Sequence, residues 1–331
     1  MSERSMQRNV WLDLFKVFLS FLVICIHFVG ESYTHHPLYR LAVPMFFMMS
    51  GYFLYRPDHA TWQKNALAFI KRNVHYMIIG FGIYIVYDFI MCYVNGNGVG
   101  YYFTTLFYDD IFLQFFILNR PITYSGYQLW FLIALFVVSL IHYLIVRFEK
   151  ENWYRVIIPV CVAIYLFFSG YMRLFQYTDM PIRYTRNALF FGLPLFALGF
   201  CMAKYNFNKK PWMKYVYLLF GIGFFFLQIY ESRIVVMEMY ISTILAAVCL
   251  LQFFMGLRGV RCDWFYRWFG KDMAFYIYIF HVAVGITLGR VVEFPNLYLK
   301  STVILLVSMG IYEVCFLAGK AIEHLRKKER I

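Results

Sequence analysis

The chain has 331 residues, of which 62% are hydrophobic and only 15% charged, against about 45–50% and about 25% in typical soluble domains. A chain of this size cannot hide that much apolar surface from water, which excludes a soluble enzyme, a disordered chain and a nucleic-acid-binding domain and leaves a polytopic helical membrane protein. The formal net charge of +13 agrees, because the cations lie in short clusters between apolar runs, as in the cytoplasmic loops of membrane proteins.

The first apolar run does not resemble a cleavable signal peptide: it is long, carries polar residues in register, and no small-residue cleavage site follows it. About 20 residues cross the apolar core of a bilayer. Ten runs meet that measure in chain order, at about 11–30, 38–55, 74–94, 128–146, 156–172, 187–203, 212–230, 236–256, 274–292 and 298–318. They lack the period-2 alternation of barrel strands and are too long for them. The predicted fold is therefore all-α, a transmembrane bundle forming a single domain over 1–331, placed in the cell membrane. With the N-terminus in the cytoplasm, 22 lysines and arginines fall in inner segments and 8 at the outer side, which favours both termini inside.

The longest connection, about 95–127, opens with the turn signal Asn95-Gly96-Asn97-Gly98. Its aromatic stretch from Tyr102 to Leu118 is broken by Asp109 and Asp110 and is expected to be interfacial or re-entrant. Breaks in the apolar runs are expected at Pro44 and Pro194. The chain after Lys320 is expected to be the polar end of the last helix. The seven cysteines show no CxxC spacing and read as apolar fillers. His35 and His36 lack a third ligand at useful spacing, so no metal is expected. No phosphate-binding glycine loop is present, so neither NTP nor NAD use has support.

The first run holds the most informative pattern. At about 100° per residue, Asp13, Lys16, Ser20 and His27 fall within one stripe about 60° wide. Lys16 and His27 are eleven residues apart, about 16 Å along the axis. Ionisable groups inside a span usually face a bundle interior or a wet cavity. Two arrangements fit. In one, the stripe walls a passage with Lys16 at its cytoplasmic mouth and His27 deeper. In the other, Asp13 and Lys16 pair at i,i+3 and His27 bonds a neighbouring helix.

This segment resembles the first helix of the acyltransferase family 3 membrane proteins, which carries Leu-Asp, a basic residue and, ten intervening residues later, a histidine. Further resemblances follow in order: Met45-Phe-Phe-Met-Met-Ser-Gly-Tyr52, Lys71-Arg72-Asn-Val-His75, Leu129-Trp130-Phe131, Arg186-Asn187 through Phe191-Gly-Leu-Pro194 to Gly199, and Gly270-Lys through Tyr276-Ile-Tyr-Ile-Phe-His281. Two positions depart from the family pattern. Lys16 replaces the usual arginine, and His75 replaces the second arginine of a basic pair. Lysine is a point charge without the planar fork that grips phosphate at two places. A first-helix lysine is similar to the branch that includes the membrane part of VanT-type serine racemases.

The resemblance implies transfer of an acyl group, acetyl in the usual case, from cytoplasmic acyl-CoA to a hydroxyl of a carbohydrate or other cell-envelope acceptor. His27 would be the general base, suited by its near-neutral titration, with Asp13 and Lys16 beside it in the catalytic set. Lys16, Arg72, His75 and Trp130 would meet the acyl-CoA, and Arg186, His281 and Glu313 the acceptor. Structural roles compete at several of these positions. His281 could bond a backbone carbonyl, Trp130 could be a packing or interface residue, and Arg72, His75 and Arg186 could anchor helix ends. Asp88, Glu238 and Glu313 are buried acids; Glu238 or Glu313 could pair with Lys16, Arg186 or a histidine, and the choice stays open. The expected partners are acyl-CoA, the hydroxyl acceptor and the bilayer, without nucleic acid; homo-oligomerisation stays open. A transporter of a small solute such as an amino acid would use the same stripe, and a non-catalytic membrane scaffold would not need it.

Overall fold

The computed structural model describes residues 9–30, 36–98, 100, 110–175, 180–205, 210–257 and 273–328. Among the described residues every regular element is helical. The α-helices in chain order are α1 (Val10–Phe28), α2 (His36–Arg40), α3 (Ala42–Leu54), α4 (Trp62–Val94), α5 (Trp130–Arg147), α6 (Tyr154–Ser169), α7 (Ile182–Thr185), α8 (Leu193–Tyr205), α9 (Met213–Ile234), α10 (Ile241–Gly256), α11 (Met273–Val291) and α12 (Leu297–Lys328).

Eight helical stretches among the described residues are long and apolar enough to cross a membrane. They contain α1, α4, α5, α6, α8, α9, α11 and α12. Two of the ten expected runs hold shorter helices. The run 38–55 holds α3, of 13 residues, and the run 236–256 holds α10, of 16. At 1.5 Å per residue these measure about 20 and 24 Å, shorter than the eight long helices, and α2 leads through Leu41 directly into α3. The local causes are visible. A turn at Leu41 separates α2 from α3. Before α10 the backbone leaves the helix, and the Tyr240 hydroxyl accepts from the Met237 amide at 3.1 Å. In the other direction, α4 starts at Trp62, well ahead of the expected 74, and runs for 33 residues. Pro44 and Pro194 do not interrupt helices. Pro44 lies in the first turn of α3, where the missing N–H has no intrahelical partner to lose, and Pro194 lies within the continuous helical stretch Ala188–Tyr205, directly after its wider first turn at Ala188–Gly192. The long polar end of α12 is as expected. Of the aromatic stretch 102–118, residues 102–109 lie outside the described residues, as do His35, the His36 side chain and Lys271, while Leu113–Ile117 form a short helical turn with Phe112 and Leu113 exposed.

The chain divides into two compact units: Met1–Ser32 with Leu257–Ile331, and Tyr33–Gly256. In the first, α1, α11 and α12 pack around Ile24, Met273, Ile277, Ile304 and Tyr312. Asn9 starts α1: its side chain accepts from the Trp11 and Leu12 amides and donates to the Leu257 carbonyl at 3.2 Å. A negative Asp13 in the first turn suits the positive end of the helix dipole. Gly285 on α11 faces the Phe28 ring so closely that a Cβ there would overlap it.

In the second unit, α3 and α8 cross backbone to backbone. A Cβ at Gly51 would strike the Phe196 carbonyl, and one at Gly199 the Met48 carbonyl. Small residues at both contact points permit this approach, a common device between membrane helices. A core of Trp62, Ile145, Val146, Tyr154, Ala197 and Phe200 closes one end. At the other end, the Asp88 carboxylate accepts from the Tyr124 amide at 2.7 Å and the Ser125 amide at 3.0 Å. Asp88 therefore holds the loop that leads into α5.

Candidate functional site

The four polar residues of α1 lie away from its outer face. Trp11, Leu14 and Phe18 form the exposed side, at 43%, 39% and 43% of full exposure. Asp13, Lys16 and His27 are half-buried and Ser20 is buried. By helical geometry the exposed trio is centred about 160° around the axis from the stripe. Lys16 donates to Asp13 at 3.2 Å, the pairing their i,i+3 spacing allows. The Ser20 hydroxyl donates to the Lys16 carbonyl at 2.9 Å.

His27 stacks on His281 of α11, with ring centroids 5.3 Å apart and planes 27° from parallel. His281 is fully buried. Its Nδ1 lies 3.1 Å from the Ile277 carbonyl oxygen and 2.7 Å from that of Tyr278. Its Nε2 is buried with no hydrogen-bond partner among the described residues. The backbone bond that competed with a site role in the sequence is present, and so is the contact with His27. Glu313 on α12 is half-buried, and its Oε1 likewise has no hydrogen-bond partner among the described residues.

The second unit gathers a different set. Arg40 and Arg186 both donate to one oxygen of Glu238, at 2.7 and 2.8 Å. The Arg186 guanidinium also lies over Trp130, 4.9 Å from the ring centroid. Trp130 packs on Phe47, Phe131 and Phe191. Asn187 starts the next helical segment, its side chain accepting from the Leu189 and Phe190 amides. The Arg186-Asn187 pair in the sequence thus couples an ion-pair arm to a helix cap. Glu238 was visible as an intramembrane acid with Arg186 among its candidate partners, but Arg40 was not foreseen. Arg40 and Arg186 stand 198 and 52 residues away along the chain.

Arg72 and His75 are exposed on α4, with Arg72 over the Phe69 ring at 5.1 Å. Asp88 marks the end of α4 that adjoins the loop into α5. Arg72 precedes Asp88 by 16 residues, about 24 Å of helix. Trp130 therefore belongs with Arg186 and does not join Arg72 and His75. A buried pair escaped the sequence altogether: His142 Nδ1 and the Tyr154 hydroxyl are 2.6 Å apart between α5 and α6. The signal available was a histidine inside an apolar run.

Helices of membrane-spanning length that carry ionisable side chains away from their exposed faces define a multi-pass membrane protein. More narrowly, the chain belongs to the acyltransferase 3 family, whose model, described as an acyltransferase domain, matches residues 9–318. Two curated relatives are similar. An amino-acid racemase of Enterococcus faecalis is 26% identical over 289 residues, covering 76% of this chain and 36% of the racemase. A second amino-acid racemase of the same organism is 23% identical over 356 residues, covering 97% of this chain and 47% of that protein. The chain spans less than half the length of either. No solved structure matches it.

Proposed function

We propose that the protein is a membrane O-acyltransferase that moves an acyl group, acetyl in the simplest case, from cytoplasmic acyl-CoA to a hydroxyl of a carbohydrate or other cell-envelope acceptor, in the cell membrane. The observation that carries this is the α1 stripe. A membrane acyltransferase needs a base inside the membrane, and His27 is half-buried on the side of α1 away from Trp11, Leu14 and Phe18. His27 takes the proton of the acceptor hydroxyl, whose oxygen attacks the thioester carbon. The thioester is already activated, so no serine or cysteine nucleophile is needed. Lys16, placed by Asp13 at 3.2 Å, supplies positive charge about 16 Å along the helix from the base, a span that a pantetheine arm covers. Arg72 and His75 are assigned to acyl-CoA by the family resemblance.

The test is acyl transfer by the purified protein in detergent, with acetyl-CoA as donor and wild type against His27→Ala. A fall of about 10²- to 10⁴-fold in kcat is expected, the usual contribution of a general base. Equal turnover by both forms would remove His27 from the chemistry.

A second function has an observation of its own. The relatives are named amino-acid racemases, and the Arg40–Glu238–Arg186 cluster offers both charge signs beside the Trp130 face. A zwitterion could place its carboxylate on Arg186 and its ammonium on Glu238 and the indole. Amino-acid uptake by proteoliposomes, with no acetyl-CoA binding, would favour such a transporter.

A further inference from the structure

His281 carries more than a packing role explains. Both partners of its Nδ1 are carbonyl oxygens, which can only accept, so Nδ1 must hold the hydrogen. In the neutral ring Nε2 is then a bare lone pair. That lone pair is buried, lacks a hydrogen-bond partner among the described residues, and belongs to a ring stacked 5.3 Å from His27. A buried acceptor left unpaired is costly. Here it is the negative end of the dipole of a ring whose tautomer is locked.

We propose that His281 is a positioning residue for His27, and that the two rings form a stacked pair holding one proton. The stack fixes the plane of the His27 ring. The unpaired Nε2 stabilises the imidazolium that His27 becomes. A second proton is excluded, because two imidazoliums at this separation repel by about five times the thermal energy at an effective dielectric of about 20. Within the acyl-transfer function proposed above, on which the kinetic part rests, the acceptor O–H bond breaks as its proton moves to His27. The oxygen pair forms the new bond to the acyl carbon, the C–S bond breaks with its electrons on sulfur, and His27 returns the proton to that thiolate. His281 stays neutral throughout.

The ionisable groups around the pair are few among the described residues. On α1 they are Cys25, hydrogen-bonded with Ser301, and, further along the helix, Lys16 and Asp13. On α11 they are Tyr276, Tyr278 and Arg290, with the Tyr278 ring 6.2 Å from His281. On α12 they are Lys300, 5.3 Å from the Phe28 ring, Tyr312 and Glu313.

The test is ¹⁵N NMR of histidine-labelled protein in micelles from about pH 5 to 8, the range in which histidine titrates. His281→Phe keeps a stacked ring without the lone pair. His281→Asn keeps a donor for the two carbonyls and guards against misfolding. The wild type should show His281 as the neutral Nδ1–H form and one proton taken up by the pair. In both variants His27 should titrate at lower pH. Two protons on the pair, an Nε2–H tautomer at His281, or an unmoved His27 would overturn the proposal.

Kinetics with acetyl-CoA give a second readout. Each variant should lower kcat about 10- to 100-fold at unchanged KM, the range for groups that orient a working histidine. Adding His27→Ala should cost nothing beyond His27→Ala alone, as for residues acting as a unit. Multiplicative losses would break the pair. A wild type that transfers no acyl group while the NMR holds would refute the acyltransferase and leave the pair standing.

Discussion

Glu238 holds two arginines on one carboxylate oxygen, and the three groups together carry a net positive charge. The side chains of Arg40 and Glu238 keep only 11% and 12% of their exposure, and Arg186 keeps 31%. Each cation has therefore given up much of its hydration, and the carboxylate compensates both. Glu238→Gln would leave two guanidiniums facing an amide. A loss of about 2–4 kcal/mol in unfolding stability is expected, near the cost of breaking a buried pair and reduced by the residual solvent at Arg186. Thermal unfolding in detergent measures it, and a variant that melts with the wild type would show the carboxylate to be solvated. The Asp13–Lys16 pair was legible in the sequence because both partners lie on one helix at a spacing that fixes their geometry. The Glu238 cluster was not fixed: Arg186 stood as one of several candidate partners, and no periodicity links Arg40 to an acid 198 residues away.

At the scale of elements, the crossing of α3 and α8 rests on the absence of two side chains. A Cβ at Gly199 would meet the Met48 backbone, and one at Gly51 the Phe196 backbone. Backbone cannot rotate aside as a side chain can, so Gly199→Ala must separate the helices. It should destabilise the protein by about 1–3 kcal/mol or more, the cost of overpacking a filled core, despite alanine's better helix propensity. Gly223→Ala on α9 meets nothing within 4 Å and serves as the control; equal melting of the two variants would contradict the close crossing. The Ser-Gly-Tyr segment that resembled the family pattern thus has a packing reason at Gly51. Hydrophobic runs located most of the long helices, but they could not set lengths. Leu41 is as apolar as its neighbours, and residues 235–240 are so apart from Glu238, so hydropathy alone did not show where α3 and α10 begin. The early start of α4 at Trp62 was hidden by polar residues, because a helix that leaves the membrane keeps its hydrogen bonds while losing its apolar signature.

For the whole molecule, the charge count and the contacts within the second unit can be set against each other. Arg40, Arg186 and Glu238 meet, and all three belong to segments assigned outside by the distribution of lysine and arginine. Lys204 and His59 both approach Glu151, at 3.6 and 3.9 Å, and Arg147 donates to Gln63 at 3.3 Å; these residues belong to segments assigned inside. No contact among them joins an inner segment to an outer one, so the count and the packing agree on two opposite ends. The packing alone would be unchanged if the molecule were turned over. We propose the sense from the excess of cations in the expected inner segments, because positively charged loops tend to stay in the cytoplasm. In a cysteine-free background, a cysteine placed at exposed Tyr124 should react with a membrane-impermeant maleimide in intact cells, and one at Lys64 only after the membrane is opened. The reverse pattern would invert the bundle and place Lys16 at the outer side, where cytoplasmic acyl-CoA could not reach it; the donor side of the proposed reaction would then fall, while the helices, the Glu238 cluster and the imidazole pair would remain as they are.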